Sequence, residues 1–199
     1  LIKAIFFDFD GVIHDTFDLT YTISKQFHSD LSEAKYKAFF DGDFFKKIDE
    51  EETTIIQEKF RKLEHEAFQH LVLERDIRDK LLILSKSYDL FIVTSNTEKN
   101  LNMYFENSTF TGIFKEILGE ETHKSKIEKF NLLFNKYNLI ADDCVFVTDT
   151  VGDIVQANAV NLRSIAVTYG FHEKERLENA NPFRLISSFS SLLDIVDTL

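Results

Sequence analysis

Short apolar runs, each stopped abruptly by polar residues, recur along the chain and set its plan. Ala4 to Phe7 is apolar at every position and halts at Asp8, which predicts a strand buried on both faces, as in a parallel sheet. Runs at 89–94, 116–118, 144–148 and 164–168 read the same way. Between them lie stretches with helical character at 77–87, 98–105, 126–137 and 152–159. A final strand at 183–187 and an amphipathic helix from about Ser190 close the pattern. Such alternation predicts an α/β fold, a doubly wound, mainly parallel sheet with helices on both of its faces.

Residues 16–75 break that rhythm. Polar and apolar positions mix without strand-like alternation, and helices are predicted at 17–29, 32–40 and 51–73. Ser32 reads as a helix start, and Ile55, Ile56, Phe60, Leu63, Ala67 and Phe68 recur near helical spacing. A plain crossover between parallel strands needs about a dozen residues. The much longer segment here predicts a small helical cap at 16–75, inserted after the first strand into a core formed by 1–15 and 76–199.

Composition narrows the partners. A chain of 199 residues can hold one domain with a sizeable insertion. Its 21 phenylalanines, with no tryptophan, suit bulky core packing. Lysine and arginine number 23 against 34 acids, a net charge of −11 that argues against general nucleic-acid or anionic-membrane binding. A small phosphorylated metabolite stays open, because a bound cation can invert the local field. Cys144 is the lone cysteine and sits in an apolar run, where a buried thiol is expected. No stretch has the length of a membrane span or the pattern of a signal peptide, so the cytoplasm is the default location. The chain opens at Leu1 and its only methionine is Met103, which leaves a native start further upstream open.

Asp8 and Asp10 stand two apart at the end of the first run, with Gly11 directly after them. Clustered acids are costly unless something positive sits between them, which implies a hard cation such as Mg²⁺. The second run ends in Thr94-Ser95-Asn96, where a hydroxyl and N–H groups turning into a helix make an anion-binding corner. Asp149 and Asp153 straddle the end of the 144–148 run and a glycine-containing turn, so both can face one cation.

Asp-Phe-Asp-Gly-Val-Ile at 8–13 resembles the first motif of the haloacid dehalogenase superfamily, most of whose members are Mg²⁺-dependent phosphatases. Thr94 resembles the family's second motif, with Ser95 and Asn96 as neighbours or alternatives. The third motif is a lysine opening the helix before strand four. Lys126 fits it, with Lys124 as the second candidate in His123-Lys124-Ser125-Lys126. Asp149 and Asp153 resemble the fourth motif, although Thr148 stands where members commonly carry glycine. The motifs follow one another in the family's order. The segment 167–172 also resembles the loop after the fifth strand in phosphoglycolate-phosphatase-like members, the branch that includes β-phosphoglucomutase-like proteins.

This resemblance implies a phosphatase acting on a small phosphorylated substrate through an aspartyl-phosphate. Asp8 would be the nucleophile, Asp10 the general acid and base, and Lys126 the neutralising cation. Mg²⁺ would be held by Asp8, the Asp10 carbonyl, Asp149 and Asp153, with Thr94 holding phosphoryl oxygens. A sugar-phosphate mutase of the same family is the nearest alternative. It would have to grip a second phosphate with cap cations such as Lys59, Arg61 or Lys62, or with Arg75 and Arg78 near the hinge. A receiver-like phosphoryl acceptor is a third reading, though it needs neither an aspartate at i+2 nor a helical insertion; a family member turned binding or scaffold protein is a fourth. Phosphoglycolate, sugar phosphates and nucleotide monophosphates stay open as substrates, as does the oligomeric state.

Overall fold

Six strands pair into one sheet: the four inner ones carry apolar side chains covered on both faces, and the two edge strands are partly exposed. The computed structural model describes residues 1–199, the side chains of Glu50 and Glu51 apart. The strands are β1 (Ala4–Phe7), β2 (Asp89–Val93), β3 (Phe114–Leu118), β4 (Cys144–Thr148), β5 (Arg163–Val167) and β6 (Arg184–Ile186). All pair in parallel, in the order β3-β2-β1-β4-β5-β6. This is the doubly wound α/β architecture expected from the alternation.

Period-two alternation sends Phe6 and Phe7 to opposite faces of the sheet. Phe7, Ile92 and Val147 pack with Leu84 of α5 (Arg75–Leu84), Leu101 and Tyr104 of α6 (Glu98–Asn107) and Leu192 of α10 (Ser190–Val196). Phe6 faces Phe130 of α7 (Lys126–Tyr137), with ring centroids 6.0 Å apart, in a cluster that also holds Ala157 of α8 (Val151–Ala159). Burying each such phenylalanine contributes roughly 1.5–3 kcal/mol. Cys144 lies in this second layer, and burial pushes its thiol up to about 12.

Register then fixes the site. Phe7 is level with Ile92 on one side and Val147 on the other, so the central strands end together. Asp8, Thr94 and Asp149 therefore emerge along one carboxyl edge, beside the point where the chain reverses its winding around β1. Open α/β sheets bind ligands at such an edge.

The insertion holds α1 (Phe17–Lys25), α2 (Glu33–Ala38), a 3-10 turn at Phe39–Asp41, α3 (Phe44–Glu51) and α4 (Thr54–Phe68). The helix expected at 51–73 is α4 alone, starting after Thr53 and ending at Phe68, and α3 lies almost wholly before the expected range. Thr53 Oγ1 accepts the Ile56 N–H at 3.4 Å and starts α4, while the Asp43 carboxylate accepts the Lys46 N–H at 3.1 Å and starts α3. Apolar spacing alone does not register such caps. A short helix, α9 (Lys174–Asn179), was also not anticipated; it buries Leu177 against Ile154 and Ala166. Two strands run further towards the N-terminus than the apolar runs suggested, from Phe114 and Arg163.

Aromatic side chains tie the insertion to the core. Tyr36 and Phe39 pack with Phe171, which belongs to the loop after β5. The backbone of Gly42 lies so close to Gly152 that a Cβ on Gly152 would collide with the Gly42 carbonyl. His172 joins the same parts. It accepts the Val151 N–H at Nδ1 (3.0 Å) and donates from Nε2 to the Lys37 carbonyl (2.9 Å). Burial holds this imidazole below its usual pKa, in keeping with one donor and one acceptor nitrogen. Among the described residues no helix is long and apolar enough to cross a membrane.

Candidate active site

Asp8 is the first residue beyond β1, and its N–H donates to the Val147 carbonyl at 2.9 Å. The side chain is buried. Oδ1 accepts the Phe9 N–H at 2.7 Å, and Oδ2 accepts Lys126 Nζ at 2.8 Å. Lys126 comes from the first turn of α7, whose opening N–H is held by Gln156 Oε1 of α8 at 3.0 Å. That anchor brings the whole lysine side chain inward. Nζ also donates to Asp153 Oδ2 at 2.6 Å. Lys124 goes elsewhere: exposed, it pairs with Asp49 at 2.8 Å.

Three carboxyl groups crowd this one ammonium. Burial pushes Asp8 well above the usual carboxylate range; Lys126 opposes the shift, and Asp153 and Asp149 add to it. Burial also acts to raise Asp153. Lys126 outweighs it, with hydrogen bonds from Asp8, Lys126 and Thr148, and leaves Asp153 low. Lys126 itself is raised, because the charges of Asp153 and Asp8 overcome its own desolvation. Of the two, Asp8 is pushed towards the protonated form and Asp153 towards the charged one.

Asp149 follows β4 directly. Its Oδ2 accepts the Phe171 N–H at 2.7 Å, whereas Oδ1 is buried with no hydrogen-bond partner. Burial raises its pKa to about 8. Gly11, at φ +73°, lies against this carboxylate, and a Cβ there would strike it. Asp8, Asp149 and Asp153 face one lysine, so the ionised cluster lacks two positive charges. An orphaned carboxylate oxygen beside that deficit fits a divalent cation. Among the described residues no group of three or more His, Cys, Asp or Glu side chains is arranged to hold a metal ion. Mg²⁺ in general keeps several waters and uses only one or two carboxylates.

Asp10 stands across the same opening. Thr16 Oγ1 donates to its Oδ1 at 2.7 Å, and Asn96 Nδ2 donates to its Oδ2 at 3.1 Å. Burial raises its pKa although both hydrogen bonds oppose the shift. Thr94 is buried at the end of β2, and its Oγ1 accepts the Asn96 N–H at 3.1 Å. A cavity of about 50 Å³ is lined by Asp8, Asp10, Thr94, Ser95, Lys126 and Asp149. Beside it, under the insertion, opens a larger cavity of about 120 Å³, and Asp10 and Ser95 line both.

A family model described as haloacid dehalogenase-like hydrolase matches residues 5–167, which takes in every group just described except Phe171. The chain belongs to this family. Its sequence is 29% identical to a phosphoglycolate phosphatase of Aliivibrio fischeri over 125 residues, 61% of this chain and 55% of that protein. The chain thus spans about half the length of that relative. A phosphoglycolate phosphatase of Synechococcus elongatus is 24% identical over 212 residues, covering 100% of this chain and 99% of the other. Both of these relatives are phosphoglycolate phosphatases, the branch that the segment 167–172 resembles. A solved haloacid dehalogenase-like family hydrolase of Streptococcus pneumoniae superposes with a TM-score of 0.81, at 21% identity and over 98% of each chain, and so shares the fold.

Within this haloacid dehalogenase-like hydrolase, the unusual Thr148 takes part in the cluster. Its hydroxyl donates to Asp153 Oδ2 at 2.7 Å. The helix cap that follows is Thr150, whose Oγ1 accepts the Asp153 N–H at 3.4 Å, so Asp149 is free of capping. Asn96, grouped in the sequence with the anion-binding corner, spends its side chain on Asp10 and on the Thr97 N–H (2.8 Å). The pattern gave no sign of Thr16, six residues beyond Asp10, or of Lys129, one turn beyond Lys126.

Lys129 is fully buried and donates to the Thr94 carbonyl at 2.5 Å. Burial, reinforced by Lys126, lowers its pKa from 10.5 to about 7. The native protein therefore binds fewer protons here than the unfolded chain does between those values. Stability from this group should be complete above 10.5 and lost as pH falls through 7. Lys129→Met is expected to remove that rise and to melt at or above the wild-type temperature at pH 7, as thermal unfolding across pH 6–10 would read. A variant that keeps the wild-type slope would dissociate it from Lys129.

Proposed function

We propose that this protein is a Mg²⁺-dependent phosphatase that hydrolyses a small phosphorylated metabolite through an aspartyl-phosphate on Asp8. One observation carries the reading. Asp8 is clamped by Lys126 near the unpartnered Asp149 oxygen, and Asp8, Asp10 and Asp149 line one small cavity. Asp8, the Asp10 carbonyl and Asp149 would hold the metal, with Asp153 direct or through water. Bound there, it would offset the charge deficit and draw the proton off Asp8.

The chain's own groups account for the remaining steps. Ionised Asp8 attacks phosphorus in line, and the bond to the leaving oxygen breaks. Lys126 faces the charge gathering on the phosphoryl oxygens, and Thr94 and Ser95 border the same cavity. Asp10, protonated more readily than an ordinary carboxyl, gives its proton to the departing alkoxide. As a carboxylate it then takes a proton from the water that cleaves the aspartyl-phosphate. Thr16 and Asn96 keep it aimed throughout. In this scheme residues 16–75 are the cap and 1–15 with 76–199 the core, with the cap excluding water and selecting the leaving group. Arg61, one of the cations a mutase would need for a second phosphate, is engaged by Glu120 through two of its nitrogens. A cytoplasmic metabolite suits the reading.

p-Nitrophenyl phosphate tests it. Turnover is expected with Mg²⁺, lost with EDTA and restored by added Mg²⁺; turnover indifferent to both would remove the metal from the scheme. Asp10→Asn should lower kcat by about 10²- to 10⁴-fold and accumulate phospho-enzyme, seen as a mass gain of one phosphoryl group. An unchanged kcat would give the proton transfers to another group.

A further inference from the structure

The larger cavity, under the insertion and open to Asp10, would receive the alcohol part of the substrate. Its walls are chiefly apolar, with the aromatic rings of Tyr36, Phe40, Phe44, Phe60 and Phe171 among them. Its ionisable groups are unevenly balanced. Among the described residues, Asp10, Glu52, Glu64 and Glu120 line it, against Arg61 and His28. Both are already engaged: Arg61 by Glu120, and the His28 ring by Glu52 at 2.7 Å. Glu52 still keeps a buried oxygen, Oε2, with no partner.

Glu64 is the group left over. It is 7% exposed and lines the cavity, and among the described residues its one hydrogen bond comes from Asn100 Nδ2 to Oε2 at 3.2 Å. Asn100 also donates to Asn96 Oδ1 at 3.0 Å, so the amides that steady Asp10 steady Glu64 as well. Among the described residues no lysine, arginine or histidine forms an ion pair with Glu64. Burial, then Asp10 and Glu120, hold its carboxyl well above the usual range, and Arg61 opposes the shift without overcoming it.

We propose that the alcohol part of the substrate carries a positive charge on a compact apolar body, an ammonium that the aromatic rings enclose and Glu64 neutralises. The inference rests on the phosphatase reading and adds its substrate class. Ring faces attract a desolvated cation, and a buried carboxylate supplies its counter-charge. A carboxylate in the same place, as on phosphoglycolate, would meet Glu64 and Asp10 with Arg61 already engaged.

Four esters decide the matter: phosphocholine, its uncharged isostere 3,3-dimethylbutyl phosphate, phosphoglycolate and p-nitrophenyl phosphate. Wild-type kcat/KM should favour phosphocholine over the isostere by about tenfold or more, with phosphoglycolate last. Glu64→Gln should bring the ratio of phosphocholine to isostere to within about threefold of unity. A wild-type ratio near one, a preference for phosphoglycolate, or a ratio that survives Glu64→Gln overturns the inference. If Glu64→Gln does not fold, the wild-type ranking alone decides. Turnover of p-nitrophenyl phosphate with a flat ranking sinks this inference and leaves the phosphatase standing. Failure on all four esters sinks both.

Discussion

Asp8→Asn is expected to abolish turnover of p-nitrophenyl phosphate, with a loss of about 10⁴-fold or more, while the protein stays folded. The amide keeps the shape of the side chain and can still accept from Lys126, but it has no carboxylate to attack phosphorus. Stability should move the other way. Asp8 has a raised pKa in the fold, so the native state retains a proton that the unfolded chain releases above its ordinary value of 3.8. Stability from that proton is complete below 3.8 and is lost as pH climbs towards the higher native value. Asparagine removes the titration. Without metal, the variant should therefore melt at or above the wild-type temperature at pH 7. Retained turnover would exclude Asp8 as nucleophile, and a marked fall in melting temperature would mean that its charge is not a burden in the fold.

Lys126→Met should damage both properties. It leaves Asp8, Asp149 and Asp153 buried without the one ammonium that reaches two of them. Breaking a buried ion pair by removing one partner costs about 3–5 kcal/mol, and urea unfolding at pH 7 should show a loss of that order. The sign with pH follows from both partners. Lys126 is raised, so its contribution is complete below 10.5 and vanishes only as pH passes above its native value. Asp153 is lowered, so its contribution is present above 3.8 and disappears as pH falls through its native value. The gap between variant and wild type should therefore be widest near neutrality and narrow below pH 4. Turnover should fall by about 10³-fold or more, since the phosphoryl charge loses its fixed counter-charge. Wild-type stability in the variant would make the pair energetically neutral, as some buried ion pairs are.

Much of the fold was legible because buried parallel strands announce themselves. A run such as Ala4 to Phe7 can be covered only from both sides, and its polar stop then marks the edge where ligands gather. Asp8, Thr94 and Asp149 stood out as such stops, and the fold brings them to one edge. Lys124 and Lys126 could be ranked from sequence but not separated, since the difference lies in how Gln156 pins the first turn of α7. The insertion was less legible. The start of its α4 after Thr53 depends on a single hydroxyl, and its cavity chemistry depends on partners far apart in the chain. Glu64 and Asn100 are 36 residues apart, and Arg61 and Glu120 are 59 apart. Neither pair has any spacing that a periodic pattern could reveal. Lys129 was hidden for the opposite reason: a lysine on a helix reads as a solvated one until the fold encloses it.

Backbone rests directly on backbone where Gly42 meets Gly152, and this has a mechanical consequence. With only hydrogen on the α-carbon at 152, the segment around residue 42 settles lower on the first turn of α8 than any other residue would permit. One methyl group there would act as a spacer and push the segment around residue 42 away from α8. Asp153 is the very next residue, so the gap would admit bulk solvent beside the lysine and its acids. The dryness that gives those charges their unusual affinities is thus kept by the smallest possible substituent at one position.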